Sequence, residues 1–340
     1  MLARFASAAA TLAVCAAPFT GRASPAMADD PSPLRLVKSI PLPGIEKRID
    51  HFAIDAAGKR MVLAALGSDV VVVIDLEKGE VVHTIDGQGE PQGVAILPDT
   101  GRIVVANGDD GTVRFYVGAT FEIANTIELG NDADNARLDA ATGRLYVGYG
   151  KGAIAIVETS EKKIKHLLDV RLKAHPEAFA LEAKGPRIFV NVPEAGHVAV
   201  IDREKQEVTN TWPVKEAHGN FPMCLDEENH RLFVGCRAPA KMLVFDTTTG
   251  KVVTSIEISG DVDDVWLDGP AKRLFLSCGE GFVDVVAQKD ADHYERTTKV
   301  PTASRARTSF FVPATGRLYV AVPHEGEQRA EVRVYETRAK

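Results

Sequence analysis

One strand-rich unit of about 42 residues recurs seven times in this 340-residue chain, and this repetition constrains the fold more than any other feature. A basic residue followed by a short apolar run is the clearest marker of each unit. The marker arginines are Arg60, Arg102, Arg144, Arg187, Arg231, Arg273 and Arg317. Their successive spacings are 42, 42, 43, 44, 42 and 44 residues, so the sequence predicts seven copies of one structural unit.

Each unit contains four segments rich in β-branched and aromatic residues, separated by Gly, Asp, Asn and Pro. In the second unit these segments are 93–97, 103–107, 112–117 and 121–127, which we designate strands a to d. Strands a and b are apolar at nearly every position, whereas strand d alternates with polar residues. This pattern is typical of a sheet whose inner strands are covered on both faces and whose outer strand contacts water.

The seventh unit lacks its fourth strand, and the beginning of the chain supplies a matching segment. The third strand of that unit is 331–335, while residues 36–42 repeat the strand d pattern of 81–85 and 252–256. We therefore expect residues 34–43 to complete blade 7. The sequence thus predicts an all-β, seven-bladed β-propeller with four-stranded blades, in which the N-terminal strand closes the ring.

The repeats also indicate a family. The segments Gly-Arg-Ile-Val-Val-Ala-Asn at 101–107 and Gly-Arg-Leu-Tyr-Val-Ala-Val at 316–322 resemble the YVTN-type repeats of bacterial seven-bladed propellers, and the resemblance covers residues 34–340. It implies kinship with surface-layer and periplasmic binding proteins, sugar-lactone hydrolases, lyases and cofactor-bearing dehydrogenase subunits. Because these activities share one fold, the fold alone does not select among them.

The first 28 residues have the features of a secretory signal peptide. Arg4 provides the positive start, residues 5–18 are apolar, and Ala26-Met27-Ala28 is a small-residue cleavage site. Lipid attachment at Cys15 is the alternative, but Val14 stands where that signal requires a small residue. We therefore expect a periplasmic or secreted protein.

The predicted mature chain, residues 29–340, is expected to form a single propeller domain. Its blades should begin near residues 48, 90, 132, 175, 219, 261 and 304. The formal charge is −7, and it becomes −9 when Arg4 and Arg22 are removed with the signal, which opposes binding to nucleic acid or an anionic membrane. We expect no nucleic-acid partner, no membrane span and a monomer that binds a small polar ligand or a protein.

Several motifs that would identify a cofactor are absent from the sequence. It has no P-loop, no H-E-x-x-H, no G-x-S-x-G, no C-x-x-C and no haem-attachment C-x-x-C-H. Three cysteines follow the signal, and Cys224 and Cys236 lie on consecutive strands where a disulfide is conceivable. Buried free thiols are the alternative that we favour. The sequence therefore leaves the cofactor unknown, with a divalent cation possible and no haem motif.

Residues that enter strand a are the best candidates for a site. In a propeller, the d-to-a and b-to-c loops lie on one face, around the mouth of the central channel. Ten residues before the marker arginines lie Asp50, Gln92, Asp134, Glu177, Phe221, Asp263 and Arg307. Two residues further back lie Arg48, Glu90, Asp132, His175, Gly219, Asp261 and Arg305. One residue closer to the markers lie His51, Asn135 and Asp264.

From these positions we predict a polar, charge-polarised ligand site. Its residues are Arg48, Asp50, His51, Glu90, Gln92, Asp134, Asn135, His175, Glu177, Asp263, Asp264, Arg305 and Arg307. Arginines from blades 7 and 1 should form a cationic side, and acids mainly from blades 2 to 4 and 6 the remainder. Such a mouth suits a carboxylated or zwitterionic molecule held by a bidentate arginine. Charged loops that only pair with one another would give the same pattern.

Three functional hypotheses follow. The first and favoured one is a binding or scaffold protein that presents this mouth to a small ligand or a protein partner. The second is a metal-assisted hydrolase or lyase acting on a sugar acid or lactone, with His51 or His175 and acids as metal ligands. The third, a subunit of a quinone-dependent or haem-bearing oxidoreductase, has the least support in the sequence.

Overall fold

The computed structural model describes residues 32–160 and 163–338, and these form seven antiparallel four-stranded sheets arranged as a ring of blades. The predicted all-β, seven-bladed propeller is thereby confirmed. The predicted signal peptide lies outside the described residues. The part of the chain described here contains no helix long and apolar enough to cross a bilayer.

The strand bounds follow the repeat. Those of blades 1 to 4 are β2 (Phe52–Ile54), β3 (Arg60–Ala65), β4 (Val70–Asp75), β5 (Glu80–Ile85), β6 (Pro91–Ile96), β7 (Ile103–Asn107), β8 (Thr112–Tyr116), β9 (Ile123–Glu128), β10 (Ala133–Asp139), β11 (Arg144–Tyr149), β12 (Ala153–Ser160), β13 (Lys163–Arg171), β14 (Phe179–Leu181), β15 (Arg187–Val192), β16 (His197–Asp202) and β17 (Glu207–Pro213). Those of blades 5 to 7 are β18 (His218–Asp226), β19 (Arg231–Ala238), β20 (Ala240–Asp246), β21 (Val252–Glu257), β22 (Val262–Asp268), β23 (Arg273–Cys278), β24 (Phe282–Gln288), β25 (Tyr294–Pro301), β26 (Ser309–Val312), β27 (Arg317–Val322), β28 (Glu331–Thr337) and β1 (Leu34–Pro41). Short 3-10 turns occupy Leu66–Ser68 and Pro193–Ala195.

Strand β1 closes the ring as the outermost strand of blade 7. It pairs antiparallel with β28, from Leu34 opposite Thr337 to Pro41 opposite Glu331. Its strand d pattern shows in the burial, because Ile40 is 1% exposed and Leu36 is 49% exposed. The predicted closure by the N-terminal strand is confirmed.

The hydrophobic core consists of seven clusters, each shared by two neighbouring blades. Alternate residues of an inner strand pack against the blades on opposite sides of their own blade. In β3, Val62 and Ala64 pack with blade 2, whereas Met61 and Leu63 pack with blade 7. Because side chains alternate between the two faces of a strand, covering both faces makes every position apolar. This is why strand b reads as a continuous apolar run.

The cysteines are inert components of this core. Cys224 pairs with Phe233 and Cys236 with Asn220, so the two cysteines are not opposite one another, and both are free. Burial raises the pKa of each thiol to about 12, which keeps it protonated and unreactive. Cys278 is also free and buried.

Candidate functional site

A cavity of about 360 Å³, which we call the mouth cavity, lies where strand a and its preceding loops meet the ends of strand b. Ten of the thirteen predicted site residues line it: Arg48, Asp50, His51, Gln92, Asp134, Asn135, His175, Glu177, Asp263 and Arg307. The structure brings these side chains together, and their role in ligand binding stays a prediction. Asp132, Phe221 and Arg237 line the same cavity.

The other three predicted residues lie elsewhere. Glu90 and Arg305 occupy turn positions with left-handed backbone, at φ of 49° and 59°, and both are exposed. The Arg305 side chain is 73% exposed and pairs with Glu325 at 3.4 Å, away from the mouth cavity. Asp264 is buried in a second cavity along the channel. The cationic side therefore lacks Arg305.

Arg237 and Arg307 lie on one side of the mouth, and each is ion-paired with two aspartates of blade 6. Arg307 Nη1 lies 2.7 and 2.8 Å from the two carboxylate oxygens of Asp261, and its Nε lies 3.0 Å from Asp263. Arg237 donates to Asp263 and stacks over the ring of Phe221 at 3.9 Å. Each guanidinium carries five donors, so these contacts orient it without using all of its hydrogen-bonding capacity.

Arg48 adds a third cation through a buried pair. Its Nη2 lies 2.7 Å from Oδ2 of Asp50, which is only 2% exposed. Burial raises the pKa of Asp50 to about 6, although the charge of Arg48 opposes the shift. We call Arg48, Arg237 and Arg307 the arginine wall.

Sequence reasoning missed Arg237 because it concentrated on the loops before strand a. Arg237 lies at the end of strand b, six residues after a marker arginine. The residues at that position are Leu66, Gly108, Gly150, Pro193, Arg237, Gly279 and Pro323. Arg237 is the only charged member of this set, so the repeat did contain a signal for it.

The opposite side of the mouth is built by blades 3 and 4 around His175. His175 Nδ1 lies 2.7 Å from the carbonyl oxygen of Gly150 and 3.2 Å from Oδ2 of Asp132, while Nε2 lies 3.7 Å from Oδ2 of Asp134. Burial opposes the charge on His175, but the hydrogen bonds with Asp134 and Gly150 and the charges of Asp132 and Asp134 together raise the pKa of His175 to about 9. Burial alone would raise the pKa of Asp134, but His175, His51 and Arg48 lower it.

Two further groups of the mouth cavity, Glu177 from blade 4 and His51 from blade 1, are neutral near pH 7. Burial, reinforced by the charge of Asp134, raises the pKa of Glu177 to about 8, so its carboxyl can donate a hydrogen bond. Burial lowers the pKa of His51 to about 4. His51 Nε2 lies 3.7 Å from Asp50 and 3.9 Å from Asp134. The cavity therefore offers charged and uncharged polar groups side by side.

A bulge at the start of β10 places two adjacent polar side chains in the cavity. The pairing of β10 with β11 shifts register between Ala133 and Ala136, and an extra residue of this kind breaks the alternation of side chains. Asp134 and Asn135 are therefore both buried, at 5% and 2% exposure, and both line the mouth cavity. Gly93 of β6 faces this bulge, where any Cβ would overlap the Asp134 carbonyl oxygen.

Asn135 Oδ1 is a buried acceptor without a hydrogen-bond donor among the described residues. Buried polar atoms in native proteins are nearly always hydrogen-bonded, so an unpaired one requires an explanation such as a bound molecule or ion. Asn135 lines the mouth cavity. A water or a bound molecule in this cavity can therefore supply the missing donor.

A second cavity of about 300 Å³ continues along the channel. His51 and Ala178 line both cavities, so they form the boundary between them. The second cavity is mostly apolar, with Phe179 and Trp266 among its lining residues, but Arg137 and Asp264 also line it. The polar groups are thus concentrated in the mouth cavity.

Replacing Asp264 by Asn should stabilise the protein above pH 4. Asp264 is 8% exposed, its Oδ2 accepts the N–H of Ser309 at 2.7 Å, and burial raises its pKa well above the usual value. Folding raises the pKa of this carboxyl group. Its contribution to stability is therefore fully present at pH values below the pKa of the unfolded state, and it is lost as the pH rises through the pKa of the folded state. An asparagine side chain still accepts the Ser309 N–H, and because it does not ionise, the protein does not lose this stability as the pH rises.

We expect the Asp264→Asn variant to gain about 1 kcal/mol or more in the free energy of unfolding at pH 7. Urea unfolding at pH 4 and pH 7 measures the effect. The difference between variant and parent should be larger at pH 7. A variant that is less stable than the parent at pH 7 would contradict the buried-charge argument.

Comparisons with known proteins concern the fold. No protein-family model matches the sequence, and no curated protein matches it. Hydrazine synthase from Kuenenia stuttgartiensis superposes with a TM-score of 0.74 at 14% identity, covering 87% of this chain and 98% of that one. A chain of the mitotic checkpoint complex gives 0.74 at 13% identity, with 96% and 99% covered. The WD40 repeats of RRP9 give 0.75 at 12% identity, with 90% and 97% covered. At these identities the likeness shows the β-propeller fold.

Proposed function

We propose that this chain is an exported propeller of the YVTN-repeat type that binds a small carboxylate in the mouth cavity. The observation that carries the proposal is the arginine wall, which lines a cavity of about 360 Å³ together with the carboxyl groups of Asp134 and Glu177. In a ring of seven blades, blades 3 and 4 lie opposite blade 7. Arg307, before blade 7, therefore faces Asp134 and Glu177 across the channel.

The cavity suits a small molecule in both size and polarity. Ligand pockets generally begin at about 300 Å³ and fix their ligands by a few convergent polar groups. Guanidinium groups bind carboxylates through paired hydrogen bonds. On the other side, Asp134 can accept from a hydroxyl or an ammonium, and Asn135 Oδ1 still lacks a donor. A hydroxylated or zwitterionic carboxylate therefore fits both sides at once.

Preorganisation supports binding over simple pairing of the loops. Asp261 and Asp263 orient Arg237 and Arg307 through ion pairs. The Arg237 guanidinium also stacks on the ring of Phe221. Rigid donors lose little entropy when a ligand arrives. Export is supported by the signal-like first 28 residues, and a monomer without nucleic-acid partners by the acidic charge of −7.

Small carboxylates should raise the melting temperature of the purified protein. We would measure thermal shifts with succinate, citrate and gluconate, using succinamide and sorbitol as uncharged analogues. A ligand present at 100 times its Kd stabilises the folded state by about 2.7 kcal/mol. The shift should disappear in Arg237→Ala and Arg307→Ala, because each removes donors from the arginine wall.

Arg305→Ala is the matched control, since Arg305 belongs to the same loop as Arg307 but is 73% exposed outside the cavity. This variant should keep the full ligand-induced shift. The proposal would be wrong if no carboxylate stabilised the parent. It would also be wrong if the shift persisted in Arg237→Ala, or vanished equally in Arg305→Ala.

A further inference from the structure

We propose that Asp134, His175 and Glu177 form a binding site for one divalent transition-metal ion of the Zn²⁺ class, with a free coordination position facing the mouth cavity. One ligand atom from each residue lies within 4.8 Å of the other two. In residues 32–160 and 163–338 this is the only group of three such side chains gathered so closely. The site goes beyond carboxylate binding and does not depend on it.

The spacing of the three ligand atoms is close to that of a bound ion. Zinc holds nitrogen and oxygen ligands at about 2.0–2.2 Å, which puts neighbouring ligand atoms roughly 3.3 Å apart in a tetrahedral site. His175 Nε2 and Asp134 Oδ2 are already 3.7 Å apart. One carboxyl oxygen of Glu177 lies within 4.8 Å of a ligand atom of each of the other two residues, so it would move closer when an ion binds. Three protein ligands plus one open position are typical of reactive rather than structural zinc sites.

The His175 ring is held in an orientation that suits a metal ligand. A carbonyl oxygen can only accept, so the 2.7 Å contact with Gly150 requires that Nδ1 carries the proton. A metal ion can then replace the proton on Nε2, which lies 3.7 Å from Oδ2 of Asp134. Metal-binding histidines almost always donate their other ring N–H to a carbonyl or a carboxylate in this way. Here Gly150 and Asp132 both lie beside Nδ1.

Asn135 supplies an independent indication of a bound group. Its Oδ1 is buried, has no donor among the described residues and lines the same cavity as the three proposed ligands. It also follows Asp134 directly in the bulge of β10. A water bound at the open position of the ion would be a donor for this oxygen. The unpaired acceptor and the three ligands are thus explained together.

The donor set selects the class of ion. Ca²⁺ prefers six to eight oxygen ligands and Mg²⁺ prefers oxygen with several waters. An imidazole nitrogen with carboxylates instead suits Zn²⁺ and its first-row neighbours. We therefore expect Zn²⁺ and Co²⁺ to bind much more tightly than Ca²⁺.

The test uses the mature protein after treatment with a chelator. Calorimetric titration with Zn²⁺ should give one ion per chain, and Co²⁺ should produce a visible absorption band. His175→Ala and Glu177→Gln should each weaken Zn²⁺ binding roughly 100-fold or more, and Asp132→Asn roughly 10-fold through the orientation of His175. Circular dichroism checks that each variant remains folded, and Glu177→Gln preserves the side-chain shape.

His293→Ala is the matched control. His293 also contacts an aspartate, with Nδ1 2.9 Å from Asp290, but it is exposed and has no third ligand nearby. Its removal should leave Zn²⁺ binding unchanged. Arg237→Ala should also keep the ion, which separates this site from carboxylate binding. Absence of Zn²⁺ binding, or an equal loss in His293→Ala and His175→Ala, would overturn the proposal.

Discussion

Replacing Ile40 by Ala should lower the free energy of unfolding by about 2–5 kcal/mol. Ile40 is 1% exposed and packs in the cluster between blades 7 and 1, with Val332 and Met61. The substitution leaves a cavity in the strand that closes the ring. Because the blades are packed in series around a closed ring, weakening this contact should destabilise the whole propeller. Urea unfolding followed by circular dichroism measures the loss.

Leu36→Ala is the control for this prediction. Leu36 lies on the same strand, pairs with Tyr335 and is 49% exposed. We expect its free energy of unfolding to change by less than about 0.5 kcal/mol. If the two variants lost the same stability, β1 would act only through its backbone pairing. If neither lost stability, the closing strand would not contribute to the fold.

Asp284→Ala should also be strongly destabilising, by about 3 kcal/mol or more. Asp284 lies on β24, is 0% exposed and accepts the backbone N–H and the hydroxyl of Ser259 at 2.6 and 2.8 Å. Arg296 Nη1 lies 3.2 Å away. Alanine would leave these donors unpaired in a buried place. Urea unfolding measures the effect on stability.

Asp284→Ala should also weaken the binding of carboxylates in the mouth cavity. Ser259 lies two residues before Asp261, which orients Arg307, so releasing Ser259 loosens the support of the arginine wall. Asp290→Ala is the control, because Asp290 also accepts hydrogen bonds but its side chain is 61% exposed. It should change stability by less than about 0.5 kcal/mol. Equal losses in the two variants would contradict the role given to burial.

Much of the fold could be predicted because the pattern of apolar and polar residues in each repeat indicates which strands are buried on both faces. The predicted second unit has strands at 103–107 and 112–117, and the structure has Ile103–Asn107 and Thr112–Tyr116. Regular alternation and continuous apolar runs are local consequences of packing between blades. The closing strand was predictable for the same reason, since Ile40 occupies a position that is apolar in every strand d pattern used for the comparison.

The site could be predicted only where it follows the repeat. Counting back from the marker arginines finds Asp134 and Glu177, because strand a enters the channel at the same place in each blade. The same spacing wrongly places Arg305 in the cavity, because its left-handed turn and its contact with Glu325 direct the side chain elsewhere. It also misses Arg237, which reaches the mouth from strand b. Side-chain direction in a bulge or turn depends on backbone geometry that residue spacing does not record.

The closure of blade 7 also affects how the protein is made. Strand β1 is synthesised before blades 1 to 6 and β28 after them, yet each is the partner of the other. Synthesis proceeds at about 5–20 residues per second, so β1 waits many seconds before its partner exists. Blades 1 to 6 each consist of four consecutive strands, so only blade 7 needs a strand from a distant part of the chain. The ring itself can close only after β28 has been made and is free to pair with β1.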